Sequence, residues 1–392
     1  MLFRHLPAAL AALALALLAL ALPPGGVAPA QAQPLFDSRA PNILVIDHGT
    51  GQVLLDRNSD EPLPPASMSK LMTLLMLFEA IEDGRVAMDT TWSVSERAHT
   101  MGGSRMFLET RDRPSTEDLI RGIAVLSGND ASVVVAEGLA GSEEAFARIA
   151  TARAQQLGMN NTTIANASGW PDPNHLMSLR DLATLAAHLI DNHPRFYGYL
   201  AEESFTWNNI PQPNRLPLLG TGLGLDGLKT GFTSATGNAL VGSALQGNRR
   251  VIFVFSGMPS PEARAEEAER IINWAFRQFT QRRVAREGEA LARAEVWMGE
   301  AREVPMVAPR ALSVLMPALG EGELRARVEY DGPVEAPIVA GQELGRLVIE
   351  VPQMEDVSFP LVAGADVAAG GFVPRMRSAA LVLAGHLGLT AP

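Results

Sequence analysis

One segment constrains this chain more than any other. From Met68 to Phe78 the sequence is almost continuously apolar: Met68, Leu71, Met72, Leu74, Leu75, Met76, Leu77 and Phe78. At helical spacing these residues cover every face, and a helix apolar all round must be enclosed by other elements. The fold has to be built around this helix, not against one side of it. Lys70 stands inside the segment and Ser67 at its beginning, one turn earlier. Of the 32 basic residues only Lys70 and Lys229 are lysine; the other 30 are arginine. Arginine replaces lysine wherever a positive charge is enough. It cannot do so where an amine must lose its proton or a compact point charge must fit. Chance survival is the competing reading of the two lysines.

The 392 residues are 47% hydrophobic and 19% charged, a globular composition long enough for two or three domains. The formal net charge of −11 argues against a general nucleic-acid binder. The absence of cysteine excludes disulfides, thiol catalysis and cysteine-ligated metal centres. Residues 1–32 have the layout of a cleaved secretory signal: Arg4, an uncharged Leu6–Leu22 run, a Pro23-Pro24-Gly25-Gly26 break and a small-residue site at Ala30-Gln31-Ala32. An uncleaved anchor is the alternative.

Asn42–Asp47 and Gln52–Asp56 read as a hairpin, and the region from 115 to 195 as several helices. Leu225–Thr230, Asn238–Leu245 and Arg250–Ser256 read as strands and Pro261–Thr280 as a helix. This predicts one domain over 36–281, a sheet covered by helices. After a charged joint at Arg282–Gly288 the sequence turns rich in Val, Pro, Gly and Glu, and a small β-rich domain is expected over 285–365. Over 371–392, Phe372, Met376, Ala380, Leu383 and Leu387 fall near one helical face.

Three short motifs carry the chemistry: Ser67-Met68-Ser69-Lys70, Ser127-Gly128-Asn129 and Lys229-Thr230-Gly231. A serine hydroxyl is a weak nucleophile until a base takes its proton. At i and i+3 on a helix, Ser67 and Lys70 share a face, and burial among Leu and Met disfavours the ammonium, leaving a neutral amine. Ser127 can relay a proton to a leaving amine. Asn129 can donate to a substrate carbonyl or hold Lys70. Lys229 and Thr230, at a strand end, suit a substrate carboxylate. An oxyanion needs two donors, expected from the Ser67 N–H and from the strand near Thr233. Singly each motif is weak; Ser67 alone reads as an ordinary N-cap. Their order, and the placing of both lysines within them, is the stronger signal.

The three motifs together are the set of penicillin-binding proteins and class A β-lactamases. More closely, Pro65–Thr73, Leu119–Ala131, Asp226–Thr233, Ser178–Ala183 and Asn214-Arg215 resemble the D-alanyl-D-alanine carboxypeptidases, low-molecular-mass penicillin-binding proteins of peptidase family S11. The resemblance implies an α/β (α+β) serine β-lactamase/transpeptidase-like domain, its antiparallel sheet flanked by helices, then a small all-β domain. It makes Ser67 the acyl-enzyme nucleophile, Lys70 the base and Ser127 an aid to proton transfer. Asn129, Lys229, Thr230, Thr233 and Arg215 would bind the substrate. That substrate would be a peptidoglycan stem peptide, with β-lactams as covalent inhibitors and neither metal nor cofactor required. It implies a periplasmic enzyme attached peripherally to the inner membrane by an amphipathic helix over 371–392; a tail packed on its own domain is the alternative. Phe232 departs from the family, where His often follows the third motif. The competing functions are a β-lactamase, disfavoured because no Glu between Asn129 and Lys229 has Asn four residues on, and a penicillin-binding module that acylates without turnover.

Overall fold

The computed structural model describes residues 36–318, 324–352, 354–372 and 376. The signal-sequence reading of 1–32 and most of the tail-helix reading of 371–392 lie outside the described residues. Among the described residues no helix is long and apolar enough to cross a membrane.

The apolar segment forms α1 (Lys70–Glu82), preceded by a 3-10 turn at Ala66–Ser69. Every residue from Lys70 to Phe78 is buried. Four helices surround α1: α2 (Thr116–Ala124), α3 (Asn129–Ala140), α4 (Glu143–Gln156) and α5 (Leu179–Asn192). Their start points are local and chemical. Ser115, Ser142 and Ser178 each accept a hydrogen bond from a backbone N–H of the first turn, and Asp118 completes a reciprocal capping box with Ser115.

A five-stranded antiparallel sheet stands beside this helical cluster. Its strands are β1 (Asn42–Asp47), β2 (Val53–Arg57), β5 (Leu225–Thr233), β6 (Gly237–Gln246) and β7 (Arg249–Met258), in the order β2-β1-β7-β6-β5. Between α5 and β5 the chain makes a small hairpin, β3 (Ser204–Trp207) with β4 (Ile210–Pro213). Helix α5 packs on β1 and β7, and α6 (Pro261–Arg277) on β6 and β7. The middle strands are therefore covered and read as apolar runs, such as Val251–Phe255. Strand β5 is left at the sheet edge, where it runs beside the Ala66–Ser69 turn. Gly231 permits that approach: a Cβ there would lie 3.1 Å from the Pro65 carbonyl oxygen and 3.1 Å from Met68 Cγ.

The reading of Arg282–Gly288 as a joint is corrected. Phe279–Ala285 is a strand, β8, paired antiparallel with β11 (Leu312–Pro317). Four consecutive exposed residues, Thr280–Arg283, hide the period-two signal of a strand. For the same reason α6 ends at Arg277, short of Thr280: Phe279 turns into β8 and packs edge-on against Trp274, with ring centroids 5.2 Å apart. The remaining strands are β9 (Ala290–Trp297), β10 (Glu303–Val307), β12 (Arg325–Tyr330), β13 (Val334–Glu335), β14 (Glu343–Glu350) and β15 (Val357–Ala363). They form a six-stranded sheet in the order β12-β14-β15-β10-β9-β13 around Val304, Met306, Leu347, Ile349, Phe359 and Leu361.

Gln52 joins this β region to the first sheet. Its buried amide donates to the Leu315 carbonyl at 3.1 Å and accepts from the Leu315 N–H at 2.5 Å. Gln52→Ala strands both backbone groups in a dry environment, so urea unfolding should show a loss of about 2 kcal/mol.

Candidate active site

The 3-10 turn before α1 lifts Ser67 to the surface of a cleft of about 870 Å³. Ala66, just before it, has φ +50°, a left-handed conformation that costs a non-glycine residue about 1–3 kcal/mol and is held only by its surroundings. Gly169 provides part of that support. A Cβ on Gly169 would lie 1.9 Å from the Ala66 carbonyl oxygen, so only glycine lets the 166–170 loop pack against this turn. The loop is also tied to α1, because Thr73 donates to the Ala167 carbonyl at 2.7 Å.

Lys70 has no solvent exposure. Its Nζ lies 2.9 Å from Ser67 Oγ and 2.7 Å from Asn129 Oδ1, and it also donates to the Ser168 carbonyl. Its pKa is lowered well below the usual lysine value, chiefly by burial, then by the charges of Lys229 and Arg215; Asp130 opposes them. The geometry suits the neutral form. A neutral amine has two N–H donors and one lone pair. Asn129 Oδ1 and the Ser168 carbonyl can only accept, so they take both donors. The lone pair is then left for the Ser67 hydroxyl, which donates to it.

Ser127 sits at the start of α3, buried and also left-handed at φ +60°. Asn129 is held at both ends of its amide: Oδ1 by Lys70, and Nδ2 by donation to the Gly102 carbonyl at 2.8 Å. Asp130 accepts from the N–H groups of Met106 and Leu108 at 2.9 and 3.1 Å, fixing the 102–108 loop over the cleft. Trp170 forms the facing wall, and a Cβ added to Gly102 or Gly103 would lie 3.3 Å from its ring.

On the β5 side, Thr230, Thr233 and exposed Phe232 line the cleft, and Lys229 is buried behind them. Thr233 Oγ1 pairs with Thr236 Oγ1 at 2.8 Å, and Thr236 donates to the Pro64 carbonyl, tying the end of β5 to the chain just before Ser67. The Lys229 pKa is lowered to about 7 by burial, then by the charges of Arg215 and Arg264. Arg215 reaches Ser104 Oγ at 2.5 Å across the cleft mouth.

Arg264, on the first turn of α6, lines the same cleft and was not singled out from the sequence. It is 9% exposed, and among the described residues its Nε has no hydrogen-bond partner. As one of 30 arginines outside any motif, it carried no signal. None of the described residues lining the cleft is acidic, although the chain carries a net charge of −11. The cleft is a basic site on an acidic protein.

Comparison with known proteins places the chain in a family. The D-alanyl-D-alanine carboxypeptidase family model matches residues 28–260, and that of the penicillin-binding protein 5 C-terminal domain matches 279–369. The D-alanyl-D-alanine carboxypeptidase DacC of Escherichia coli is 34% identical over 88% of this chain and 87% of its own. The crystal structure of penicillin-binding protein 5 from Haemophilus influenzae superposes with a TM-score of 0.77 at 32% identity, covering 85% of this chain and 98% of that one. Penicillin-binding protein D2 of Listeria monocytogenes, solved in its ampicillin-bound form, matches with a TM-score of 0.56 at 29% identity, over 61% of this chain and 98% of that one. The fold is that of the penicillin-binding class of proteins. Within that class, the chain belongs to the D-alanyl-D-alanine carboxypeptidase family, peptidase family S11.

The cations around Lys70 add to burial in lowering its pKa. Removing a neighbouring cation raises the Lys70 pKa, so more alkali is needed to free the amine. In Arg215→Gln the acid limb of the pH profile for penicillin acylation should therefore move to higher pH. An unmoved limb would remove Arg215 from the electrostatics of the base.

Proposed function

We propose that the chain removes the terminal D-alanine from peptidoglycan stem pentapeptides through an acyl-enzyme on Ser67. The observation that carries the reading is the Lys70–Ser67 pair at 2.9 Å, with the amine fully buried and its two donor positions occupied. Neutral Lys70 accepts the Ser67 proton as Oγ attacks the carbonyl of the penultimate D-alanine. The developing oxyanion is met by the Ser67 N–H, with a second donor from the edge of β5 near Thr233. Ser127, held on the opposite wall, passes a proton to the nitrogen of the departing D-alanine. Water then hydrolyses the Ser67 ester. Asn129, bonded at both ends within the protein, positions Lys70 and the 102–108 loop.

Lys229, Thr230, Arg215 and Arg264 receive the terminal carboxylate. A β-lactam carries its carboxylate in the same relation to its reactive carbonyl, and it acylates Ser67 in the same way. The cleft lacks a carboxylate among its described lining residues, so nothing there stands in the place of a class A β-lactamase's deacylating Glu, which favours the peptidase reading. Export to the periplasm through the 1–32 signal, and attachment to the inner membrane by 371–392, belong to the same proposal and rest on the sequence.

D-alanine release from a peptide ending in Lys-D-Ala-D-Ala should be readily measured with the wild type and vanish in Ser67→Ala. No release from a folded wild type that is still labelled covalently by penicillin would favour the non-turnover module. Lys70→Gln should slow acylation by about 10²- to 10⁴-fold, the usual worth of a general base. Arg264→Ala should raise KM for the carboxylate-ended peptide, with a much smaller effect on an amidated analogue. Equal effects on both peptides would count against a carboxylate contact.

A further inference from the structure

At the far end of α1 from Lys70 lies a second polar cluster that the peptidase chemistry does not use. By helix rise it is about 14–18 Å from Lys70. Glu79 and Glu82 come from the last turns of α1, His188 from the last turns of α5, and His193 from the residue that ends α5. They surround a cavity of about 380 Å³, with Asp83, Asn192 and Arg153. One ligand atom from each of Glu79, His188 and His193 lies within 4.8 Å of the other two.

Three observations point to a cation. His193 is 4% exposed, yet among the described residues neither ring nitrogen has a hydrogen-bond partner; Nδ1 lies 3.0 Å from Glu82 Oε2 but is poorly aligned with it. Nε2 of His188 is likewise buried and unpartnered, while its Nδ1 lies 3.1 Å from Asn192 Nδ2. Such groups are costly to bury and call for an occupant. Finally, α1, α4 and α5 all bring their C-terminal ends here, and helix C-termini favour positive charge. Arg153 supplies part of that charge and pairs with Glu79 Oε1 at 2.7 Å. Against it stand three carboxylates, those of Glu79, Glu82 and Asp83.

We propose that Glu79, His188 and His193 bind a divalent metal ion of the zinc class, with Glu82 beside them as a fourth ligand. Two imidazoles and carboxylate oxygen suit Zn²⁺ and not Mg²⁺ or Ca²⁺, which take oxygen ligands. Tetrahedral ligands at zinc distances stand about 3.3 Å apart, so the three side chains close in slightly on binding. The ion ties the end of the buried helix to α5 and stabilises the helical cluster without entering the reaction.

The test is a calorimetric titration of ZnCl₂ into the EDTA-stripped, signal-free chain, with MgCl₂ as control and thermal melts alongside. One Zn²⁺ per chain and a raised Tm are expected, with no response to Mg²⁺. Co²⁺ should give the intense visible bands of four-coordinate ligation. His188→Ala, a half-buried position, should lose at least tenfold in zinc affinity together with the Tm rise, while penicillin labelling at Ser67 shows that it is folded; Glu79→Gln should lose affinity as well. No zinc binding by the wild type, or the same affinity and stoichiometry in His188→Ala, would overturn the proposal.

Discussion

The burial of one amine organises this molecule. Lys70 occupies the first position of a helix enclosed on every side, with no exposure to water. An ammonium there carries a desolvation penalty of several kcal/mol, and losing the proton relieves it. The neutral amine in turn needs acceptors for its two remaining donors. These come from elements far apart in sequence, the Asn129 amide at the start of α3 and the Ser168 carbonyl in the loop before α5. Meeting the hydrogen-bonding needs of a single nitrogen thus fixes how α1, α3 and the 166–170 loop come together. It also aims the lone pair at Ser67.

The same cations serve two purposes. Lys229 and Arg215 depress the Lys70 pKa, and with Arg264 they line or back a cleft that has no acid among its described lining residues. Lys229 is itself brought to about 7 by burial and by the two arginines, and a nearby anion would raise it. A bound carboxylate would partly offset the repulsion felt by Lys70. On the proposed reading, ligand recognition and the readiness of the base are therefore electrostatically coupled across the cleft.

Much of this was legible in the sequence, for physical reasons. The α1 segment announced its burial by lacking a polar face, and the apolar spacing over 115–195 marked that region as helical. The two lysines stood out because arginine had taken every other basic position, and the structure places both beside one cleft. Arg264 was invisible by the same arithmetic, since one arginine among 30 carries no information. The left-handed backbone at Ala66 and Ser127 was hidden because neither is glycine. The demand for glycine at position 169 comes from a contact with a turn about 100 residues away. Strand β8 was read as a joint because its exposed polar run shows no alternation. The His188–His193–Glu79 cluster joins residues of two helices whose adjacency no local pattern reveals.

The presence of only two lysines makes the central claim directly measurable. With [ε-¹³C]lysine incorporated, the NMR spectrum of the ligand-free protein contains two lysine Cε signals, assigned by comparison with Lys70→Arg. The account requires both to titrate below the usual lysine value, with Lys229 near 7 and Lys70 well below 10.5. A Lys70 signal that stays in the ammonium position up to pH 10 would contradict it, because the base that activates Ser67 would then be charged throughout the working range.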